Sequence, residues 1–189
     1  MENLNQSTAP DPANVPYRPL AVRYGGIWGG ASILMTLVAY LTNTDPSLPT
    51  TGSIKYVYSL VGLGVAIWAI TTAIKTDRDQ QLGGYIGFGR CVGLGTLTGL
   101  VAGVIGAVFS LLYMTVINPG FKEQMLSAMQ EEWARQGMSE EQIEMAANMS
   151  GMFTNPVSMA VMQVVVGVIF ALIISLIAGA VMKRERPIV

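Results

Sequence analysis

The stretch from Val164 to Met182 reads VVVGVIFALIISLIAGAVM, with no charged residue and one polar side chain, Ser175. A helix on a soluble surface keeps a polar face. This segment has none, so a soluble four-helix bundle does not fit it. It reads instead as a helix that crosses a bilayer, a task for about 20 apolar residues at about 1.5 Å each. It sits in a longer apolar run from about Val157 to Met182, and three more runs resemble it: about Leu20 to Leu41, Ile54 to Ile74 and Val92 to Ile117. The last two runs along the chain, at about 39 Å each, must tilt or project beyond the hydrocarbon. The expected fold is therefore all-α: a polytopic membrane protein of four transmembrane helices.

Composition agrees. Of 189 residues, 51% are hydrophobic and only 12% charged, against about 25% charged in a soluble domain. Mean hydropathy is +0.47. The net charge of −1 offers no basic field for nucleic acid, and no nucleic-acid motif is present. Histidine is absent, which removes the commonest general base. The single Cys91 allows no internal disulfide. Residues 1–19, with Pro10, Pro12, Pro16 and Pro19, read as a disordered tail without the basic start of a signal peptide. Residues 20–182 form the expected four-helix domain and 183–189 a basic tail.

Lys and Arg set the expected orientation. Arg18 and Arg23, then Lys75, Arg78 and Arg90, then Lys183, Arg184 and Arg186 flank one side; Lys55, Lys122 and Arg135 flank the other. Both termini are expected in the cytoplasm. Tyr24, Trp28, Tyr40, Tyr56, Tyr58, Trp68, Tyr85 and Tyr113 are expected as interface anchors near the span ends.

Between the second and third spans lies LGGYIGFGR, Leu82 to Arg90. A phosphate-binding loop needs a strand before G-x-G-x-x-G, or a Lys-Ser/Thr after the glycines. Neither is there, and the third glycine would fall at Val92. The glycines instead continue into the span, where Gly95, Gly99 and Gly103 recur every four residues on one face. Span one begins with Gly25, Gly26, Gly29 and Gly30 at the same spacing. Such faces let backbones approach closely in lipid, so these glycines are the expected packing surfaces of spans three and one, within a chain or between chains. YGGIWGG before span one echoes LGGYIGFG before span three, a hint of a parallel two-helix repeat. Arg90 is expected to snorkel to the headgroups.

Asn118 to Pro156 is the sizeable polar connection. Asn118-Pro119 reads as a helix start, Gly137 as a stop, Ser139-x-x-Gln142 as a capping box and Asn155-Pro156 as a second start. A helical hairpin outside the membrane, residues 118–156, is expected. Phe121, Met125, Met129 and Trp133 form one apolar stripe; Met149 and Met152 lie on the second helix. Packing as a cap, lying on the membrane, docking a partner, or holding a soft metal through thioethers all remain open for these faces.

The span interiors carry no ionisable side chain, so a proton relay lacks its parts. Gln163 is the strongest polar group inside. Asp77-Arg78-Asp79 has the spacing of a metal-holding pair, but a lone pair in a charged turn is usually solvated.

GGYIGFGR at Gly83–Arg90, the glycine-rich span, INPGF at Ile117–Phe121 and RQGMSEEQIE at Arg135–Glu144 together resemble a family of bacterial four-helix membrane proteins, the domain of unknown function 4199 family. The resemblance implies a bacterial cytoplasmic (inner) membrane location and no assigned activity. The expected function is a non-enzymatic accessory, assembly or scaffold subunit. Its partners would be the bilayer and a second copy or another membrane protein, with no cofactor, metal or catalytic residue. The alternative is a small transporter or channel component for a neutral solute, with a polar cavity around Gln163, Thr96 and Thr98.

Overall fold

A computed structural model describes residues 12–45, 48 and 52–184, apart from the side chains of residues 152 and 153. The expected tails at 1–11 and 185–189 lie outside these residues. Four helices are long and apolar enough to cross a membrane. They are α1 (Arg18–Leu41), α2 (Ile54–Thr76), α3 (Phe88–Leu112) and, after two shorter helices, α6 (Pro156–Met182). The shorter pair is α4 (Phe121–Arg135) and α5 (Glu140–Phe153). Among the described residues there is no strand, only an isolated antiparallel bridge between Ile86 and Arg184.

Each end of the elements has a local cause. Pro156 opens α6 behind Asn155, whose side-chain oxygen accepts from the Ser158 amide at 2.9 Å. Ser139 and Gln142 cap α5 reciprocally, at 3.3 and 3.0 Å. Gly137 stops α4 with φ +83°. Two helices run on through π turns. Asp77–Gln81 prolongs α2 and Tyr113–Ile117 prolongs α3. The second of these corrects the expected start of α4: the Asn118 amide closes on the Tyr113 carbonyl at 2.7 Å, so Asn118 finishes α3. Asn118-Pro119 is therefore a turn, and α4 begins at Phe121. The α2–α3 turn explains part of LGGYIGFGR, because Gly83 and Gly84 take φ +64° and +93°, a region that L side chains rarely adopt.

Helix α3 is the centre. Its broadest contact is with antiparallel α6, and its next is with parallel α1. Gly95, Gly99 and Gly103 face Ser175, Ala171 and Val164 of α6. The expected close packing of spans three and one is made through the α1 glycines alone. The α3 glycines meet α6, while Gly25 and Gly29 of α1 meet Val101 and Ile105 of α3. Gly26 and Gly30 face open space. On α6, Gly167, Ala171, Ser175 and Gly179 supply the complementary small stripe. Large apolar side chains such as Leu34, Leu60, Val108 and Ile177 point outward around the helices, as they do where lipid is the solvent.

Five hydroxyls on the long helices bond their own helix. Ser32, Thr36, Ser59, Thr71 and Thr98 each donate to the carbonyl four residues back. Two of the expected interface anchors are instead core groups. Tyr24 is buried with its hydroxyl 3.0 Å from Thr76 Oγ1, and Tyr113 is buried among Tyr40, Phe109 and Phe121.

A Cβ at Gly99 would stand 2.1 Å from the Cβ of Ala171. Gly99→Ala must part the two backbones and is expected to lower stability by about 1–3 kcal/mol. Gly26→Ala, at an open position, is expected to stay within about 0.5 kcal/mol. Denaturant-driven loss of helix in detergent micelles measures both.

Candidate functional site

The buried core lies in the half of the bundle that holds the described chain ends. Leu20, Ile70, Ile74, Leu94, Ala171 and Ala178 pack there as one cluster. All buried residues of α2 fall between Ala66 and Ile74. Towards the end that carries α4 the helices diverge, and a cavity of about 390 Å³ opens between α1, α2, α3 and α6. Gly106 of α3 and the exposed Gln163 of α6 lie about two turns in from the α4 end, at the floor; Asp45, Tyr58 and Tyr113 lie at that end, the mouth.

The mouth is organised by hydroxyls. Tyr113 donates to Asp45 Oδ2 at 3.3 Å and accepts from Asn118 Nδ2 at 3.4 Å. Tyr58 lies 2.9 Å from Thr44 Oγ1, which lies 2.6 Å from Thr42 Oγ1. The Tyr113 ring meets Tyr40 and Phe121 edge-on, each at 5.7 Å between centroids. The wall between mouth and floor is largely apolar, with Met35, Phe109 and Met159. Of the residues expected around a polar cavity, Gln163 lines it. Thr98 does not, being buried and bonded to the Leu94 carbonyl. Thr96 is also absent from the wall, and its hydroxyl is buried without a hydrogen-bond partner.

The opposite end is closed by charge. Asp77 is fully buried and grips Arg90 through two bonds, Nε to Oδ2 at 2.6 Å and Nη2 to Oδ1 at 2.9 Å. The Arg90 guanidinium also donates to the Pro12 carbonyl and lies 5.2 Å from the Tyr17 ring centroid. Arg90 therefore does not snorkel; its side chain is 10% exposed. The reason is a carboxylate within reach across the α2–α3 turn. Asp79 is held separately by Arg78, at 2.7 and 3.2 Å. Both carboxylates of the D-x-D are thus occupied by arginines that point to different surroundings, and the pair does not converge on one metal position. Cys91 is buried, its Cβ facing Gly179.

The residues singled out for partner binding separate into two groups. Phe121 is buried on Tyr113; Met125, Met129 and Trp133 are half-buried; Met149 is 62% exposed, as is its neighbour Met145. The side chain of Met152 lies outside the described ones. The signals that sequence reasoning missed were nevertheless present. Asp77 and Arg90 flank a short turn, and Gly106 extends the Gly95–Gly103 line towards Gln163.

The chain matches the family described as Protein of unknown function (DUF4199) over residues 23–184, and it belongs to that family. The match takes in Asp77, Arg90, Gly106 and Gln163. No curated protein and no solved structure matches it.

Asp77→Asn leaves a buried guanidinium without its counter-charge and is expected to cost about 3–5 kcal/mol. Asp77→Leu with Arg90→Met removes both charges and is expected to restore most of that loss. Equilibrium unfolding of the three variants in one detergent separates a broken pair from an absent one.

Proposed function

We propose that the protein is a non-enzymatic accessory or assembly subunit of a bacterial cytoplasmic membrane. Its four long helices span the bilayer, both termini lie in the cytoplasm, and α4 and α5 form a hairpin on the far side. The charge bias of the connections supports this orientation. The observation that carries the accessory reading is the surface of α5. Met145 and Met149, each 62% exposed, sit one turn apart on a helix that would stand in water. Exposed methionines of this kind suit an adaptable protein–protein contact. Gly26 and Gly30 offer a second, intramembrane approach on α1. The reactive-looking groups support a structural role too, since Asp77 and Asp79 are spent on arginines.

A second reading, a transporter component for a neutral solute, is favoured by the cavity that reaches Gln163. Against a conduit through one chain stands the opposite half, where Gly95 and Gly99 bring α3 against Ser175 and Ala171.

Brief cross-linking in native membranes followed by purification of the tagged chain tests the first reading. The expected product is a stoichiometric complex with itself or another membrane protein, lost when Met145→Glu and Met149→Glu are combined. Recovery of monomer alone overturns it. Solute uptake into vesicles containing that monomer would then decide the second reading.

A further inference from the structure

The divergence of α2 from α3 and α6 leaves a space that is well formed but incompletely satisfied. Its volume, about 390 Å³, falls in the range of small-molecule sites, about 300–1,000 Å³. It does not end at the mouth. A groove of about 430 Å³ between α3 and α6 shares Ser110, Met114, Met159 and Gln163 with it, so the cavity continues sideways to the helix flank. On a membrane-spanning bundle that flank faces lipid.

Gln163 stands where cavity and groove meet. Its carboxamide, with two donor hydrogens and an acceptor, has no hydrogen-bond partner among the described residues. Leaving such a group bare in apolar surroundings is unfavourable. The amide nitrogen lies 2.8 Å from the place where a Gly106 Cβ would stand, so glycine at 106 gives it room. The neighbouring hydroxyls of Ser32, Thr36 and Ser59 are spent on their own helices. Gln163 is therefore, with the Ser110 hydroxyl beside it, a donor left over on a largely apolar wall. Charge narrows the occupant further. No Lys or Arg lines the space, and Asp45 sits at the mouth. An anionic headgroup would enter largely apolar surroundings without a counter-charge.

We propose that this cavity binds one molecule of a neutral amphiphile. A carbonyl or hydroxyl oxygen of the ligand accepts from the Gln163 amide, its apolar part lies against Met35, Phe109 and Met159, and it gains access sideways between α3 and α6. The site is independent of the accessory reading, because it is built from the four long helices and not from the α5 surface.

The test uses the full chain in nanodiscs of phosphatidylcholine and a photoreactive diazirine derivative of octanol as probe. Saturable labelling is expected on the segments around Met35, Phe109 and Met159, and excess octanol should displace it. Gln163→Leu is expected to weaken apparent affinity about tenfold, the scale of one hydrogen bond. Gly106→Ile, which fills the floor, is expected to abolish cavity labelling. Gln163→Leu should keep the wild-type unfolding midpoint, which separates loss of the site from loss of the fold. Native mass spectrometry distinguishes the source of the ligand. One bilayer lipid retained per wild-type chain and lost from Gln163→Leu identifies a lipid occupant; a bare chain that still takes octanol identifies a free solute, and either supports the site. Non-saturable labelling spread over Leu34, Leu60, Val108 and Ile177, indifferent to both substitutions, overturns it. So does a dimer whose association requires Gln163, because the amide then answers another protein chain.

Discussion

Everything in this structure depends on how closely α3 approaches α6. In lipid, burying apolar side chains gains little over leaving them in contact with acyl tails, so helices associate through packing and a few polar contacts. Gly95, Gly99 and Gly103 on one side, and Gly167, Ala171, Ser175 and Gly179 on the other, remove the side chains that would keep the axes apart. Helix α1 then seats Gly25 and Gly29 against another face of α3. Because α3 is used on two faces, its position is fixed, and the other helices are placed relative to it.

The seam is tight along only part of its length. Near the described chain ends the buried Asp77–Arg90 pair ties α2 to α3, and Tyr24 on Thr76 ties α1 to α2. A buried ion pair adds little net stability over an apolar pair, but breaking it is costly, so it fixes one arrangement of the α2–α3 turn against alternatives. The Arg90 contacts to Pro12 and Tyr17, and the bridge from Ile86 to Arg184, bring both described ends of the chain to that same turn. Towards α4, small residues give way to Met159, Met114 and Phe109, and the helices separate around them.

The four apolar helices were legible because each is an unbroken apolar run, as in Val164–Met182, of the length and composition that can cross a bilayer. The capping box at Ser139 and the start at Asn155 were legible because their hydrogen bonds are local. The partner of the Gly95–Gly103 face was not, because helix adjacency is a property of the whole bundle. Its complement on α6 was nevertheless written at the same spacing, hidden because Gly and Ala read simply as apolar within a hydrophobic run. Arg90 was misread for a related reason: an arginine at a span end usually reaches for water, and only the π turn that carries Asp77 inward supplies a nearer carboxylate. The cavity was visible only as Gln163, since a void between diverging helices has no sequence pattern of its own.

The asymmetry between the two halves bears on what one chain can do. A continuous path through the bundle would have to separate Gly95 and Gly99 from Ser175 and Ala171, where added Cβ atoms would already stand 2.8 Å or less from their neighbours. It would also have to disturb the turn held by Asp77 and Arg90. These contacts are packed and mutually dependent, so they would yield together, and a ligand resting near Gln163 reaches none of them directly. A molecule in the cavity would instead touch α1, α2, α3 and α6 where they are least constrained by one another. Binding there would alter the spread of the helices beneath Phe121 and Tyr113, the contact on which α4 is seated. In this arrangement the cavity belongs to the same half of the molecule as the exposed α5 surface, and the closed half serves as the anchor against which both are held.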